Sequence, residues 1–433
     1  MRDENRPAAS ALKSKLSRAD VLRMVGAATL GGDLLGATMA GGVGDIAKFI
    51  GPLDMKHAGT GLTYDLGAVL PLTGPGAFYG RVQASGVKLA VAHIAALGGP
   101  NFNVIYKDGK GGDPQAGVQV TRELGLANVP AMLASYAADL GSMLTGIAQY
   151  KIFTLDGGGG TSLFAQGKPY FYGALAITPN DAMPGVVRFI HDTMPHVKKV
   201  SVLGWNLGPL NAPITADINR WLESQQLVPG IVELAKIGAT DYSSSIEKFR
   251  EDKPDLILVS VYGDDVGNFL KQYATSGINK PLITFTHTES AQKVAGSAYE
   301  GLYVAFDNFD SEHPENGWSK IFIDEYVKAN GTPPDYYAAN YYEDTFIIWE
   351  LIRRVLAAGG DPKDGTALDK AFAYQPWFPS VYGGSRSTAG RIAFDAAKTH
   401  SVKRRPMSIA QFRNNSFIRL ATYNIGGADY SNL

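Results

Sequence analysis

Cysteine is absent from this chain of 433 residues. Its absence excludes disulfide bonds, thiolate metal sites, cysteine nucleophiles and any lipid anchor that is attached through a cysteine. We therefore expect a protein whose function does not depend on thiol chemistry.

An excess of charge of one sign is also missing, because 40 basic residues stand against 41 acidic ones. The basic run Lys403-Arg404-Arg405 is too short to follow a nucleic-acid backbone and is typical of a solvated strand end. No stretch contains the ~20 consecutive apolar residues of a membrane-spanning helix. These features predict a soluble mature protein with no nucleic-acid partner.

Motifs of common hydrolases are lacking as well. Neither Gly-x-Ser-x-Gly nor His-Glu-x-x-His occurs, and the seven histidines are not spaced as metal ligands. The glycine run Gly157–Gly160 is not followed by the lysine and hydroxyl residue of a phosphate-binding loop. We expect no catalytic residue, no metal and no cofactor.

What the chain does contain is a unit repeated between residues 64 and 290: a short apolar run, a polar or glycine-rich turn, and an amphipathic stretch of helix length. In the first unit, Tyr64–Leu70 has strand character and Pro71–Gly76 is a turn. The following helix has apolar residues at the 3.6-residue period, namely Val87, Ala90, Val91, Ile94 and Leu97. Such units predict an α/β fold with parallel sheets, in which ligands bind at the turns beyond the carboxyl ends of the strands.

The length of the chain and the order of its elements predict two lobes. A second series of βα units begins near Pro179, and the last part of the chain has helices followed by an antiparallel tail. This tail cannot form a third βα lobe, so we expect it to complete the first two, with several crossings of the chain. The expected boundaries are 62–178 with about 306–384 for the first lobe, and 179–305 with about 385–433 for the second.

The N-terminal segment has the composition of an export signal over residues 1–43, followed by a linker over 44–61. Ser17–Arg23 is similar to a twin-arginine signal in which Ala19 replaces one arginine, and a Gly/Ala-rich apolar run follows. Asp33 interrupts that run, and the alternative is an amphipathic or disordered tail. Export predicts a periplasmic protein.

Several motifs occur in a characteristic order over residues 66–422. They are Pro71-Leu72-Thr73-Gly74, Gly98-Gly99, Tyr106-Lys107-Asp108 with Asp113-Pro114, Thr240–Ser243, Ala295–Leu302 and Tyr336–Thr345. In this order the chain resembles the type I periplasmic solute-binding proteins, specifically the branched-chain amino-acid (leucine/isoleucine/valine-binding) family of ABC transporters. The resemblance implies two Rossmann-like lobes with parallel sheets, joined by a hinge and closing over a small ligand.

The resemblance also implies where the first lobe contacts the ligand. The family's first-turn aromatic falls on Tyr79, with Phe78 beside it, although both could be packing aromatics at a helix start. The family binds a ligand carboxylate through hydroxyl and backbone N–H groups of two loops, which here are Ser135–Asp139 and Gly158–Thr161.

These two loops depart from the family at the hydroxyl positions. Ala138 lacks the hydroxyl, so Thr161 is the remaining one, while Gly159 and Gly160 allow a ligand to approach the backbone. Asp139 is expected as the N-cap of the next helix. If it faced the cleft instead, it would repel a carboxylate.

In the second lobe, the family's ligand-covering tyrosine falls on Tyr262, after the strand that ends at Ser260. The region of the family's ammonium-binding glutamate falls on Thr284–Glu289, where Glu289 is the only acid and lies offset by several residues. Either Glu289 or Asp264 could accept a hydrogen bond from an ammonium group, and His287 could bind a different head group. Each of the three is equally compatible with a surface position.

The expected function is that of a non-catalytic, monomeric, exported binding protein. It would capture an amino acid or a related amide or aromatic acid and deliver it to the membrane permease of an ABC transporter. The alternatives are a ligand-sensing domain of the same fold and, from a different class, a hydrolase. Thermal stabilisation by such solutes without turnover would distinguish binding from hydrolysis.

Overall fold

A computed structural model of the protein describes residues 42–51, 54–74, 76–111, 113–135, 137–158, 165, 167–175, 179–307, 309–383, 391–404 and 406–424. Residues 43–433 cluster as one compact unit. The expected export signal therefore lies outside the described residues, except for its last two positions. In the described part of the chain, no helix has the length and apolar character needed to cross a membrane.

The first lobe is built on a parallel five-stranded sheet with the order β2-β1-β3-β4-β5. Its strands are β1 (Thr63–Leu70), β2 (Asn101–Asp108), β3 (Ala131–Ala134), β4 (Phe153–Asp156) and β5 (Phe171–Gly173). Its helices are α1 (Ala77–Ala96), α2 (Pro114–Leu126) and α3 (Ala137–Tyr150). Apolar residues of the strands and helices, among them Val69, Met132 and Ile147, form a continuous buried core.

The second lobe repeats the pattern from residue 179 onward. Its helices are α4 (Pro179–Thr193), α5 (Asn211–Ser224), α6 (Ser243–Asp252), α7 (Asp264–Thr275) and α8 (Glu289–Ala295). Its strands are β6 (Lys199–Trp205), β7 (Val228–Ala235), β8 (Leu256–Ser260), β9 (Leu282–Thr284) and β10 (Tyr303–Asp307). These five strands are mutually parallel where they pair, as in the first lobe.

The rest of the chain adds elements to both lobes. They are α9 (Gly317–Asn330), α10 (Tyr336–Ala357), α11 (Gly365–Tyr374), β11 (Trp377–Pro379), β12 (Arg391–Phe394), β13 (Val402–Arg404), β14 (Pro406–Arg413) and β15 (Ser416–Asn424). The hairpin β14–β15 pairs antiparallel with β10 and completes a seven-stranded second sheet of order β15-β14-β10-β9-β8-β6-β7. The expected antiparallel tail is thus present, with its turn at Asn414 and Asn415.

Helix α10 belongs to the first lobe because it packs lengthwise on α1. The two helices come close at Gly86, where an added Cβ would lie 2.2 Å from the carbonyl oxygen of Ala338. Only a residue without a side chain permits two helix backbones to come this close.

The position of β12 and β13 differs from the boundary expected near residue 385. These strands form a separate three-stranded sheet with β11, and Ser401 makes a parallel bridge with Gly173 at the end of β5. Residues 391–404 therefore lie on the first lobe, and only β14 and β15 join the second. The sequence pattern indicates antiparallel pairing, but it does not indicate which sheet supplies the partner strand.

The chain passes between the lobes between β5 and α4, between β10 and α9, and between β13 and β14. Near the second passage, Arg419 of β15 forms ion pairs with Asp310 and Glu315, both at 2.7 Å. Three connecting segments give two lobes a defined hinge rather than a flexible tether.

Candidate functional site

Segments that follow the carboxyl ends of β1, β8 and β9 make contacts at the junction between the lobes. In the first lobe, the loop after β1 is fixed by Asp108, whose side chain accepts hydrogen bonds from the backbone N–H groups of Leu72 and Thr73, at 3.0 and 3.2 Å. The Thr73 hydroxyl also donates to Asp108. This bracing sets the start of α1 and with it the position of Tyr79.

Tyr79 reaches the second lobe. Its side chain is 3% exposed and lies edge-on to the ring of Tyr337 at the start of α10, with 4.9 Å between ring centroids. Phe78 is half-buried and contacts Tyr79 with 5.9 Å between centroids. Gly263 has φ +60°, and a Cβ there would lie 3.6 Å from the Tyr79 hydroxyl oxygen. Residues from the first turn of α1 and from the loop after β8 thus meet across the junction.

Tyr262, next to Gly263, is half-buried, and burial raises its pKa to about 12. Its ring lies 5.1 Å from that of Trp205, the last residue of β6. Because β6 and β8 are neighbours in the sheet, the two aromatic side chains form one surface at its carboxyl edge. The hydroxyl of Tyr262 stays protonated at neutral pH and can act as both donor and acceptor.

A second contact across the junction joins Thr286, after β9, to Tyr336, the first residue of α10. Their hydroxyl oxygens are 3.0 Å apart and hydrogen-bonded, and the two residues are 1% and 5% exposed. Burial is the main cause that raises the pKa values of Tyr336 and Tyr337 well above the usual range, with their tyrosine neighbours adding to it. The junction is therefore lined by neutral tyrosine hydroxyls.

The predicted loops of the first lobe are only partly within the described residues. Gly159, Gly160 and Thr161 lie outside them. Ala138 and Asp139 lie in the first turn of α3, which begins at Ala137. The prediction that Asp139 is the N-cap is thus wrong, because the helix starts two residues before it.

Ser135 carries the one hydroxyl described in the loop after β3. It is 1% exposed, and its Oγ accepts a hydrogen bond at 2.8 Å from the Gln83 amide on α1. Its role is to join α1 to the end of β3.

Two polar candidates of the second lobe, His287 and Asp264, are engaged in local contacts. His287 has Nδ1 2.8 Å from the hydroxyl of Tyr299, and its ring lies edge-on to Phe417; burial lowers its pKa to about 4. Asp264 accepts a hydrogen bond from Ser290. Glu289 is the first residue of α8, capped by the Thr288 hydroxyl, which accepts from the Ala291 N–H.

Five residues at the junction are not among those predicted from sequence: Trp205, Gly263, Thr286, Tyr336 and Tyr337. Trp205 ends β6 at the carboxyl edge of the second sheet, and its place at a strand end is a signal present in the sequence. The two tyrosines are in the helix that returns to the first lobe, so their position depends on tertiary packing. In the part of the chain that the structure describes, no group of three acidic or histidine side chains could hold a metal ion.

The comparisons agree with this architecture. A leucine-, isoleucine-, valine-, threonine- and alanine-binding protein of Pseudomonas aeruginosa is 22% identical over 303 residues, covering 68% of this chain and 78% of that protein. A leucine-binding protein of Thermotoga maritima superposes with a TM-score of 0.72 at 16% identity, over 83% of this chain and 98% of that structure. A solute-binding protein of an R. palustris ABC transporter, in complex with benzoate, gives a TM-score of 0.70 at 16% identity, over 83% and 96% of the two chains.

The profile of one family spans both lobes, from residue 63 in β1 to residue 416 in β15. That family is made up of solute-binding proteins rather than enzymes, as the expectation of a non-catalytic protein requires. The chain forms two α/β lobes that are joined by three segments, and strand ends meet at their junction. Since the family profile also covers most of the chain, this chain belongs to the periplasmic binding protein family.

Proposed function

We propose that this protein is the extracytoplasmic substrate-binding component of an ABC transporter, which captures a small solute between its two lobes and delivers it to a membrane permease. The observation that carries the proposal is the meeting of Tyr79 with Gly263, beside Tyr262. These residues follow strands of different lobes, so a solute bound there contacts both lobes at once.

Closure of the lobes provides the mechanism. A ligand that contacts both lobes favours the joined state by the difference between its binding free energies in the joined and separated states. The joined protein then presents one surface to the permease, and the three connecting segments limit the motion to a hinge.

The class of solute follows from the side chains at the junction. Four tyrosines there combine apolar ring faces with hydroxyl groups, namely Tyr79, Tyr262, Tyr336 and Tyr337. Burial raises the pKa of Tyr262, Tyr336 and Tyr337, which keeps these three neutral. They suit a solute with an apolar body and a polar end, such as an amino acid or an aromatic acid. The relatives support this range, since one is named for leucine, isoleucine, valine, threonine and alanine, and another is in complex with benzoate.

The proposed location is the periplasm, with residues 1–43 acting as an export signal of degenerate twin-arginine type. We expect the mature protein in its native host to lack roughly its first 40 residues. Intact-mass analysis tests this, and a full-length cytoplasmic product would contradict both the export and the transporter assignment.

Binding is tested by titrating leucine, isoleucine, benzoate and 4-hydroxybenzoate while monitoring melting temperature and the radius of gyration from solution scattering. A ligand should raise the melting temperature, because it binds only the folded state, and should not be consumed. Turnover of any of these compounds, or binding without a change in scattering, would count against the proposal.

The position of the ligand is tested with Tyr79→Ala and Tyr262→Ala. Each should weaken binding by at least ~1 kcal/mol, the scale of an interface residue whose truncation matters. Tyr374→Ala is the matched control, because that side chain is 90% exposed at the end of α11. Wild-type affinity in both cleft variants would show that the ligand binds elsewhere.

A further inference from the structure

Trp205 is fixed by a buried carboxylate. It is half-buried, and its indole N–H donates a hydrogen bond to Oδ2 of Asp265 at 2.8 Å. The same oxygen accepts the backbone N–H of Gly238 at 2.9 Å, and Asp265 is only 5% exposed. Three separate segments, the end of β6, the loop after β7 and the first turn of α7, thus meet at one carboxylate.

The backbone at Trp205 is fixed independently of its side chain. The amide group of Asn211 donates to the carbonyl oxygen of Trp205 and accepts from the N–H of Leu207, both at 2.7 Å. A rotation of Trp205 would therefore break hydrogen bonds of both its side chain and its backbone.

Burial of the Asp265 carboxylate that binds Trp205 has a free-energy cost. Burial is the main cause that raises the pKa of Asp265, which shows that the surroundings disfavour its charge despite the hydrogen bonds that it accepts. A well-packed apolar residue would fill the same space without that cost. The arrangement is explained if the orientation of the indole ring matters for function.

The orientation places the indole against Tyr262, with 5.1 Å between ring centroids and 56° between the ring planes. Two inclined aromatic faces at neighbouring strand ends form a corner. A planar ring that enters the corner can lie along one face and present its edge to the other, which are the arrangements that aromatic pairs prefer. A branched aliphatic side chain gains burial there but no such electrostatic contact.

We propose that Trp205 is a ligand-contacting, specificity-determining residue that selects solutes carrying an aromatic ring, and that Asp265 is its positioning residue. This assignment rests on the proposed binding function and concerns the second-lobe wall of the same cleft.

Calorimetric titration of benzoate and leucine tests the selectivity. The wild-type protein should bind benzoate at least about tenfold more tightly than leucine, and Trp205→Leu should weaken benzoate binding about tenfold while changing leucine binding much less. Trp221→Leu is the matched control, since Trp221 lies on α5 beneath the guanidinium of Arg220 and outside the strand ends.

The positioning role is tested with a pair of Asp265 variants. Asp265→Asn retains an oxygen that can accept both N–H groups, whereas Asp265→Leu has a similar size and no acceptor. In the leucine variant we expect a shifted Trp205 fluorescence, measured as the difference from the same variant carrying Trp205→Phe, together with benzoate binding weakened about tenfold. The asparagine variant should restore both, which general destabilisation of the lobe would not produce.

The outcomes distinguish the roles assigned to Trp205 and Asp265 from the proposed binding function. Benzoate binding that is unchanged in Trp205→Leu, or leucine bound more tightly than benzoate, would overturn the assignment of Trp205 and leave the binding function intact. Equal spectra and affinities in both Asp265 variants would overturn the positioning role. A wild-type protein that binds neither compound and carries no co-purified solute in native mass spectrometry would contradict the proposed function itself.

Discussion

The hydrogen bond between Thr286 and Tyr336 offers a direct test of how the two lobes are held together. It joins residues 50 positions apart in sequence, one following β9 and the other beginning α10. Thr286→Val and Tyr336→Phe each remove one hydroxyl with little change of shape. Each substitution changes the free-energy difference between the protein with its lobes joined and the protein with its lobes separated.

The magnitude follows from burial. A typical hydrogen bond contributes about 1 kcal/mol net, but removing one partner leaves the other buried without a bond, at about 1–3 kcal/mol. Both residues are at most 5% exposed, so the remaining hydroxyl cannot reach water while the lobes are joined. When the lobes separate, it is hydrated and the penalty disappears. Tyr336→Phe leaves the Thr286 hydroxyl without its partner and should therefore shift the equilibrium toward separated lobes by about 5- to 150-fold, with ligand affinity falling by up to that factor. Thr286→Val should shift it less, because the Tyr336 hydroxyl also hydrogen-bonds with Tyr337.

Solution scattering and calorimetry measure the two consequences. Each single variant should show a larger radius of gyration without ligand and weaker binding with it. The double variant should lose less than the sum of the single changes, because neither hydroxyl is then left without its partner. Thr275→Val, at the exposed end of α7, is the control. Strict additivity, or single variants that scatter and bind as the wild type does, would refute this account of the junction.

Three further predictions concern stability. Gly86→Ala should lower the free energy of unfolding by about 1–3 kcal/mol or more, because the added Cβ would overlap the carbonyl of Ala338; an unchanged urea midpoint would show that α1 and α10 can separate freely. Burial lowers the pKa of His93 to about 4, so the folded state disfavours its cation and stability should fall as pH decreases from about 6.5 to about 4, by on the order of 3 kcal/mol. In His93→Gln, which can still accept the hydrogen bond of the Tyr342 hydroxyl, urea unfolding at pH 7 and pH 5 should show a smaller difference than in the wild type, and equal differences would argue against this origin. Arg419→Met should cost about 1–2 kcal/mol by removing two partly buried ion pairs at a passage between the lobes, and the loss should shrink in high salt; a salt-independent loss would point to packing instead.

The sequence by itself determined most of the local structure. Strand and helix periods identify the βα units, and Asp113-Pro114 predicts the start of α2, where the Asp113 side chain accepts the N–H groups of Gln115 and Ala116. These features depend on residues a few positions apart, so a single sequence contains their cause. The sequence pattern does not predict the short strands β5, β11 and β13 or helix α11, because strands of three residues and one ten-residue helix carry little periodic signal.

The tertiary structure alone decided how these elements meet. It assigned β12 and β13 to the first lobe through the bridge between Ser401 and Gly173. It also brought Tyr79 to Gly263, and it placed Trp205 on a carboxylate 60 residues away. Such contacts depend on how whole sheets and helices pack, and the same side chains would fit several partners of similar size and polarity. The sequence therefore fixes which strand ends carry candidate residues, whereas packing of the two lobes selects which of those residues share one cleft.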